Sequence, residues 1–186
     1  DSYDMLNGNT GSYNYWDETY NGSGCVTCDN AALSGGRGDL TDGIIATENW
    51  FITEAPVGNG PYVGWTIDPV ITFHWNTPVN ITSVTFHFDD SNGAGGVSAP
   101  ASVTVGGTNF AIADPIGSAP FAFVADGLSF SGNDLVVSIA RNNAWVFLSE
   151  VEFNAVPIPE PETYAMLLAG LGLLGFAARR RKAMMA

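Results

Sequence analysis

ITSVTFHF, residues 81 to 88, decides the class of fold. Val84, Phe86 and Phe88 alternate with Thr85 and His87, the period of two that sends successive side chains to opposite faces of a strand. The apolar face turns inward and His87 lies on the other. Outward along the chain the same composition recurs in PVITFHW (69–75), ASVTV (101–105), Phe121 to Val124, LVVSI (135–139) and WVFLSEVEF (145–153). These segments are short, β-branched and aromatic, and Gly, Asn, Asp and Pro punctuate them. No stretch before residue 155 shows helical periodicity. An open sheet of such strands would leave a hydrophobic face and two edges uncovered. The expectation is therefore all-β, a jelly-roll-like antiparallel β-sandwich over residues 1–155, long enough to enclose one core.

A different composition begins at Val156. Residues 156–163 form a Pro-rich linker containing Pro159, Glu160 and Pro161, and residues 164–178 read YAMLLAGLGLLGFAA, without a charge. Arg179, Arg180, Arg181 and Lys182 follow. Fifteen apolar residues fall short of the roughly 20 that an α-helix needs to cross the hydrocarbon core. Thr163 and the stems of Arg179 and Arg180 lengthen the span by reaching the interfaces. Residues 164–182 are thus expected to form a single transmembrane helix with a basic stop. The cationic end stays cytoplasmic, which places everything before it across the membrane.

Charge and cysteine content agree with that division. Residues 1–158 carry Arg37 and Arg141 against seventeen acids, a balance of −15, which repels nucleic acid and anionic lipid. Asp1-Ser2-Tyr3-Asp4 lacks the basic and apolar regions of a signal peptide, so the expectation for an exported protein is that its signal was removed. Cys25 and Cys28 sit in a Gly-, Ser- and Asn-rich loop and are expected to form a local disulfide, in keeping with an oxidising compartment. A zinc site would need His74 and His87, both in strand-like segments. A redox motif would want a helix after the second cysteine, where Gly35 and Gly36 lie instead.

Taken in order, the Pro-Glu-Pro motif, the short apolar span and the basic terminus closely resemble the PEP-CTERM sorting signal of Gram-negative bacteria. The resemblance implies recognition and cleavage by an exosortase, transient anchoring in the inner membrane, and delivery to the outer surface or extracellular matrix of cells that produce exopolysaccharide. Within the domain, DLTDGIIATENW (39–50) and WVFLSEVEF resemble the galactose-binding-like domains of the discoidin type. That resemblance implies a structural calcium enclosed by the early loop and the late glutamate. Carried over by residue, Asp42 and Glu150 supply carboxylates, and Asp39, Thr47 and nearby carbonyls the other oxygens. Calcium takes six to eight such ligands.

Catalysis has little sequence support. No GxSxG elbow is present, both histidines occupy strand positions, and Asp89-Asp90 precedes SNGAGG, which reads as a solvated turn. The expected function is a non-catalytic cell-surface or matrix protein that binds carbohydrate, with Trp16, Tyr20, Tyr62 and Trp65 as loop aromatics that stack on sugar rings. Trp50, Trp75 and Trp145 lie in patterned strands and are expected in the core. The rival expectation is a self-assembling structural subunit of a matrix or filament, joined by strand edges.

Overall fold

The computed structural model describes residues 2–54 and 59–157, with residues 166, 168–171 and 173 of the tail. The chain divides into two compact units, Asp1–Val156 and Pro157–Ala186.

In the first unit the strands are β1 (Ser2–Met5), β2 (Gly11–Ser12), β3 (Tyr15–Trp16), β4 (Ser23–Gly24), β5 (Leu33–Gly36), β6 (Val63–Trp65), β7 (Val70–Phe88), β8 (Ser102–Val105), β9 (Thr108–Ala111), β10 (Phe121–Ala140) and β11 (Val146–Pro157). A four-residue helix, α1 (Trp50–Thr53), and two 3-10 turns complete it. Every strand ladder described is antiparallel, and one isolated parallel bridge joins Val97 to Trp145. The main sheet runs β4-β5-β1-β7-β10-β8-β9, with β11 beside β7 and β6 beside β11. β2 and β3 form a separate hairpin whose tip residues, Tyr13 and Asn14, both have positive φ, the backbone of a two-residue hairpin turn.

β7 and β10 are long because each serves two sets of neighbours. The first part of β7 lies between β1 and the later part of β10, with Tyr3 opposite Phe73 and Leu135 opposite Phe73. Its second part lies between the start of β10 and β11, where the Asp89 N–H donates to the Phe147 carbonyl and Asn154 Nδ2 donates to Thr82 Oγ1. The two halves close on each other in the manner of a sandwich. The Phe73 and Phe153 rings meet at 4.8 Å and Trp75 and Phe153 at 5.0 Å. Val84, Phe86 and Phe88 are fully buried and His87 is turned the other way, as the alternation requires.

The segments 69–75 and 81–88 are one strand, and so are 121–124 and 135–139. Asn76, Thr77 and Pro78 obscure the first union, because they are exposed at a point where β7 bows away from β10: the register passes from Gly132 opposite Val79 to Asp134 opposite His74. A proline without an N–H is tolerated where no ladder bond is made. In β10 the inward phase runs through Ala125, jumps to Leu128, and jumps again to Leu135, Val137 and Ile139. The jumps coincide with the two register shifts, the bulges that bend the ribbon from one half to the other.

In the tail, the described positions are helical and exposed. Among the described residues no helix is long and apolar enough to cross a membrane. The expected span 164–182 lies mostly outside the described residues, as do Pro159, Glu160, Pro161, Arg179, Arg180 and Arg181.

Candidate functional site

The loop after β5 runs beside the start of β11 and is fastened to it by backbone donors. The Gly43 N–H donates to Glu150 Oε2 at 2.8 Å, and the Ala46 N–H to Ser149 Oγ at 3.2 Å. Asp42 Oδ1 accepts the Ile44 N–H at 2.8 Å. Burial pushes the Glu150 carboxyl up to about 7; the Gly43 N–H opposes that rise and the Asp42 charge adds to it.

Asp39 belongs to a neighbouring network. It accepts the Thr19 hydroxyl and the Glu18 N–H, while its own N–H donates to Asp17 Oδ1 at 2.9 Å. The Tyr3 hydroxyl donates to Asp17 Oδ2 at 2.5 Å, inside the core. Desolvation first, and the Asp39 charge second, raise Asp17 to about 7, and burial also raises Asp39. Thr47 is exposed. The four residues of the expected calcium set are thus divided: Asp42 and Glu150 meet at the loop–strand junction, and the carboxylate of Asp39 is held by Thr19 and Glu18. Among the described residues, no three His, Cys, Asp or Glu side chains converge as ion ligands.

Next to this junction a pocket of about 250 Å³ opens between β7 and β11. Phe73, Trp75 and Phe153 form an apolar wall, and Arg37, Thr41 and Glu150 bring polar groups to it. His74 also lines it, with Nδ1 2.7 Å from Asp134 and Nε2 3.3 Å from Asp4. His87 is held on the surface by Glu152 at 2.8 Å. Cys25 and Cys28 are joined by a disulfide, their Cα atoms 5.5 Å apart.

The expected stacking aromatics require correction. Tyr62 and Trp65 are 0 % exposed and Tyr20 is 5 % exposed, so they offer no ring face to a ligand. Their polar tips are satisfied internally: Trp65 Nε1 donates to the Asn9 carbonyl at 2.5 Å, Tyr62 Oη to the Glu48 carbonyl at 3.1 Å, and Tyr20 Oη to the Tyr3 carbonyl at 2.5 Å. Trp16 is half-buried, its Nε1 on Asp29 Oδ1 at 2.8 Å. Trp75, expected in the core, packs against it half-buried and also lines the pocket. Trp50 and Trp145 are half-buried too, in an aromatic group with Tyr15 and Phe147, onto which the 65 % exposed Tyr13 packs.

Asp89 and Asp90 are fully buried, not solvated. Asn49 Nδ2 and Ser91 Oγ donate to Asp89 at 2.7 and 2.6 Å, and Asp90 Oδ1 accepts the Asn92 and Ala99 N–H groups at 3.0 and 3.3 Å. They tie the turn after β7 to the body of the domain. A hydrophilic sequence concealed this, since a carboxylate that fastens backbone donors looks the same in sequence as one in water.

No curated protein matches the chain. A family model described as the PEP-CTERM protein-sorting motif matches residues 157–182. That motif in the tail implies an exported protein that passes through the membrane, is processed by an exosortase and is delivered to the surface.

Proposed function

We propose that the chain is a non-catalytic cell-surface or matrix protein whose domain binds exopolysaccharide after the tail has been removed. The observation that carries this reading is the sorting motif at residues 157–182, which follows an acidic, predominantly β domain. In this reading residues 164–182 span the inner membrane briefly, and cleavage falls near Pro159, Glu160 and Pro161. Mass spectrometry of protein extracted from the cell surface tests it. The wild-type chain should lack the tail, and a variant with Pro159, Glu160 and Pro161 all changed to alanine should retain it. A tail retained in both would mean a permanent anchor.

The meeting of the 39–47 loop with Glu150 supports a galactose-binding-like jelly roll as the finer assignment of the fold. It also supports calcium at that junction, with Asp42 and Glu150 as carboxylate ligands and Asp39 outside the shell. The cation would offset the negative charge that Asp42 and the buried Glu150 bring together at this point. Differential scanning calorimetry before and after chelation tests this: saturation at 100 times the dissociation constant adds about 2.7 kcal/mol, and an unchanged melting temperature removes calcium from the proposal.

A second reading, self-assembly through strand edges, has its own support. β4 and β9 end the sheet order, and β9 is largely exposed.

A further inference from the structure

Three features of the pocket beside Glu150 point to a ligand. Its wall is aromatic: the half-buried Trp75 and Phe153 meet edge to face at 5.0 Å, and the buried Phe73 backs Phe153 at 4.8 Å. Such a rigid apolar surface suits the C–H face of a sugar ring, as an amphipathic ligand covers apolar area while its hydroxyls find partners. Next, Thr41 lines the pocket, and its Oγ1 is buried without a hydrogen-bond partner among the described residues. A buried hydroxyl without a partner is costly, and rotation about χ1 to meet a ligand hydroxyl in the pocket removes that cost. Third, Glu150 and Arg37 line the same space, an acceptor beside a planar fork of donors. At about 250 Å³ the pocket is smaller than the ~300–1,000 Å³ of sites for drug-sized ligands, so it holds one ring and not a chain.

The surrounding charge narrows the class of sugar. Asp4 and Asp134 flank His74 at the rim, Asp42 acts on Glu150, and residues 1–158 together carry two cations against seventeen acids. A uronate would enter that field against repulsion.

We propose that this pocket binds a single ring of a neutral polysaccharide, stacked on Trp75 with its hydroxyls on Arg37, Thr41 and Glu150. The proposal rests on the carbohydrate-binding reading above and adds to it a location and a charge class.

The test is titration calorimetry on the full chain in detergent micelles, with cellohexaose and a galactohexaose as neutral probes and an alginate hexamer as the acidic one. A neutral probe should bind and the alginate should not. Trp75→Ala should weaken binding about tenfold or more, on the scale of an anchoring aromatic. Because Trp75 also packs against the core, Thr41→Val provides the variant that folding loss cannot imitate. It should weaken binding several-fold while leaving the melting temperature of the free protein unchanged or higher, since it removes an unpaired hydroxyl. Tyr13→Ala, at the other aromatic group, should leave affinity unchanged. Binding that survives Trp75→Ala and Thr41→Val but fails in Tyr13→Ala overturns the pocket and leaves carbohydrate binding standing. Tighter binding of alginate overturns the charge class. Failure of the wild-type chain to bind any of the probes overturns both the pocket and the reading on which it rests.

Discussion

Asp17 and Glu150 make the stability of the domain sensitive to pH in an unusual direction. Both folded carboxyls titrate near 7, mainly through desolvation, whereas an unfolded carboxyl titrates near 4. Between those values the folded state holds protons that the unfolded state has released. Stability is therefore greatest below the unfolded value and falls as pH rises through the folded one. Asp39, Asp89 and Glu54 are shifted the same way by burial. The melting temperature should be higher at pH 5 than at pH 8, with the buried Asp17 contributing roughly 2 to 4 kcal/mol to the difference. Asp17→Asn keeps a carbonyl for Tyr3 or Asp39 and cannot ionise, so it should flatten the profile. Thermal melts across pH 5 to 8 check both, and a profile in the variant as steep as in wild type would locate the effect elsewhere. Calcium at Asp42 and Glu150 would oppose the loss at pH 8, so the pH profile recorded with and without the ion separates the two effects.

At the scale of elements, the bulges decide how two long strands serve a sandwich. Gly127 sits at the first shift in β10 with φ +74°, and an added Cβ there would meet no atom within 4 Å. Gly127→Ala therefore isolates backbone strain from clash, and should cost about 1–2 kcal/mol in urea unfolding. A neutral result would show that the bulge relaxes to accept a side chain. The same bulges explain what could be read from the sequence. Val84, Phe86 and Phe88 announce a half-buried strand because their alternation is unbroken, but the unity of β10 is hidden where its phase jumps at Gly127 and Asn133. β4 and β6 are too short to show any period. The aromatics were misplaced for a related reason. Val63 to Trp65 is buried on both faces, with Phe147 and Tyr15 pressing on Gly64 so closely that a Cβ would lie 2.6 Å from the Phe147 ring. Cover supplied from 49 and 83 positions away leaves no local mark. The sorting motif was legible because its three parts are consecutive. The pocket was not, since Arg37, Thr41, Trp75, Glu150 and Phe153 converge only through the pairing of β5 with β1, β1 with β7 and β7 with β11.

For the whole molecule, the acidic balance sets how copies of the released domain meet. With β4 and β9 as the ends of the sheet order, pairing of β4 in one copy with β9 in the next would be head to tail, and a head-to-tail contact that does not close builds a filament. Two domains each near −15 repel one another over the ~30 Å screening length of 0.01 M salt, but hardly at all over the ~3 Å of 1 M salt. Strand edges bond through uncharged backbone groups, so screening exposes their attraction without weakening it. Sedimentation of protein released from the cell surface should therefore show monomers at about 0.01 M salt and, if edges pair, concentration-dependent growth at about 1 M. Thr108→Glu, on the exposed edge strand β9, should suppress that growth while leaving saccharide affinity unchanged, because Thr108 is remote from the Trp75 pocket in both sheet position and lining. Growth that disappears on adding salt would identify ionic contacts and rule out edge pairing. Monomers under both conditions would leave polysaccharide, held through the pocket, as the link between this domain and a matrix.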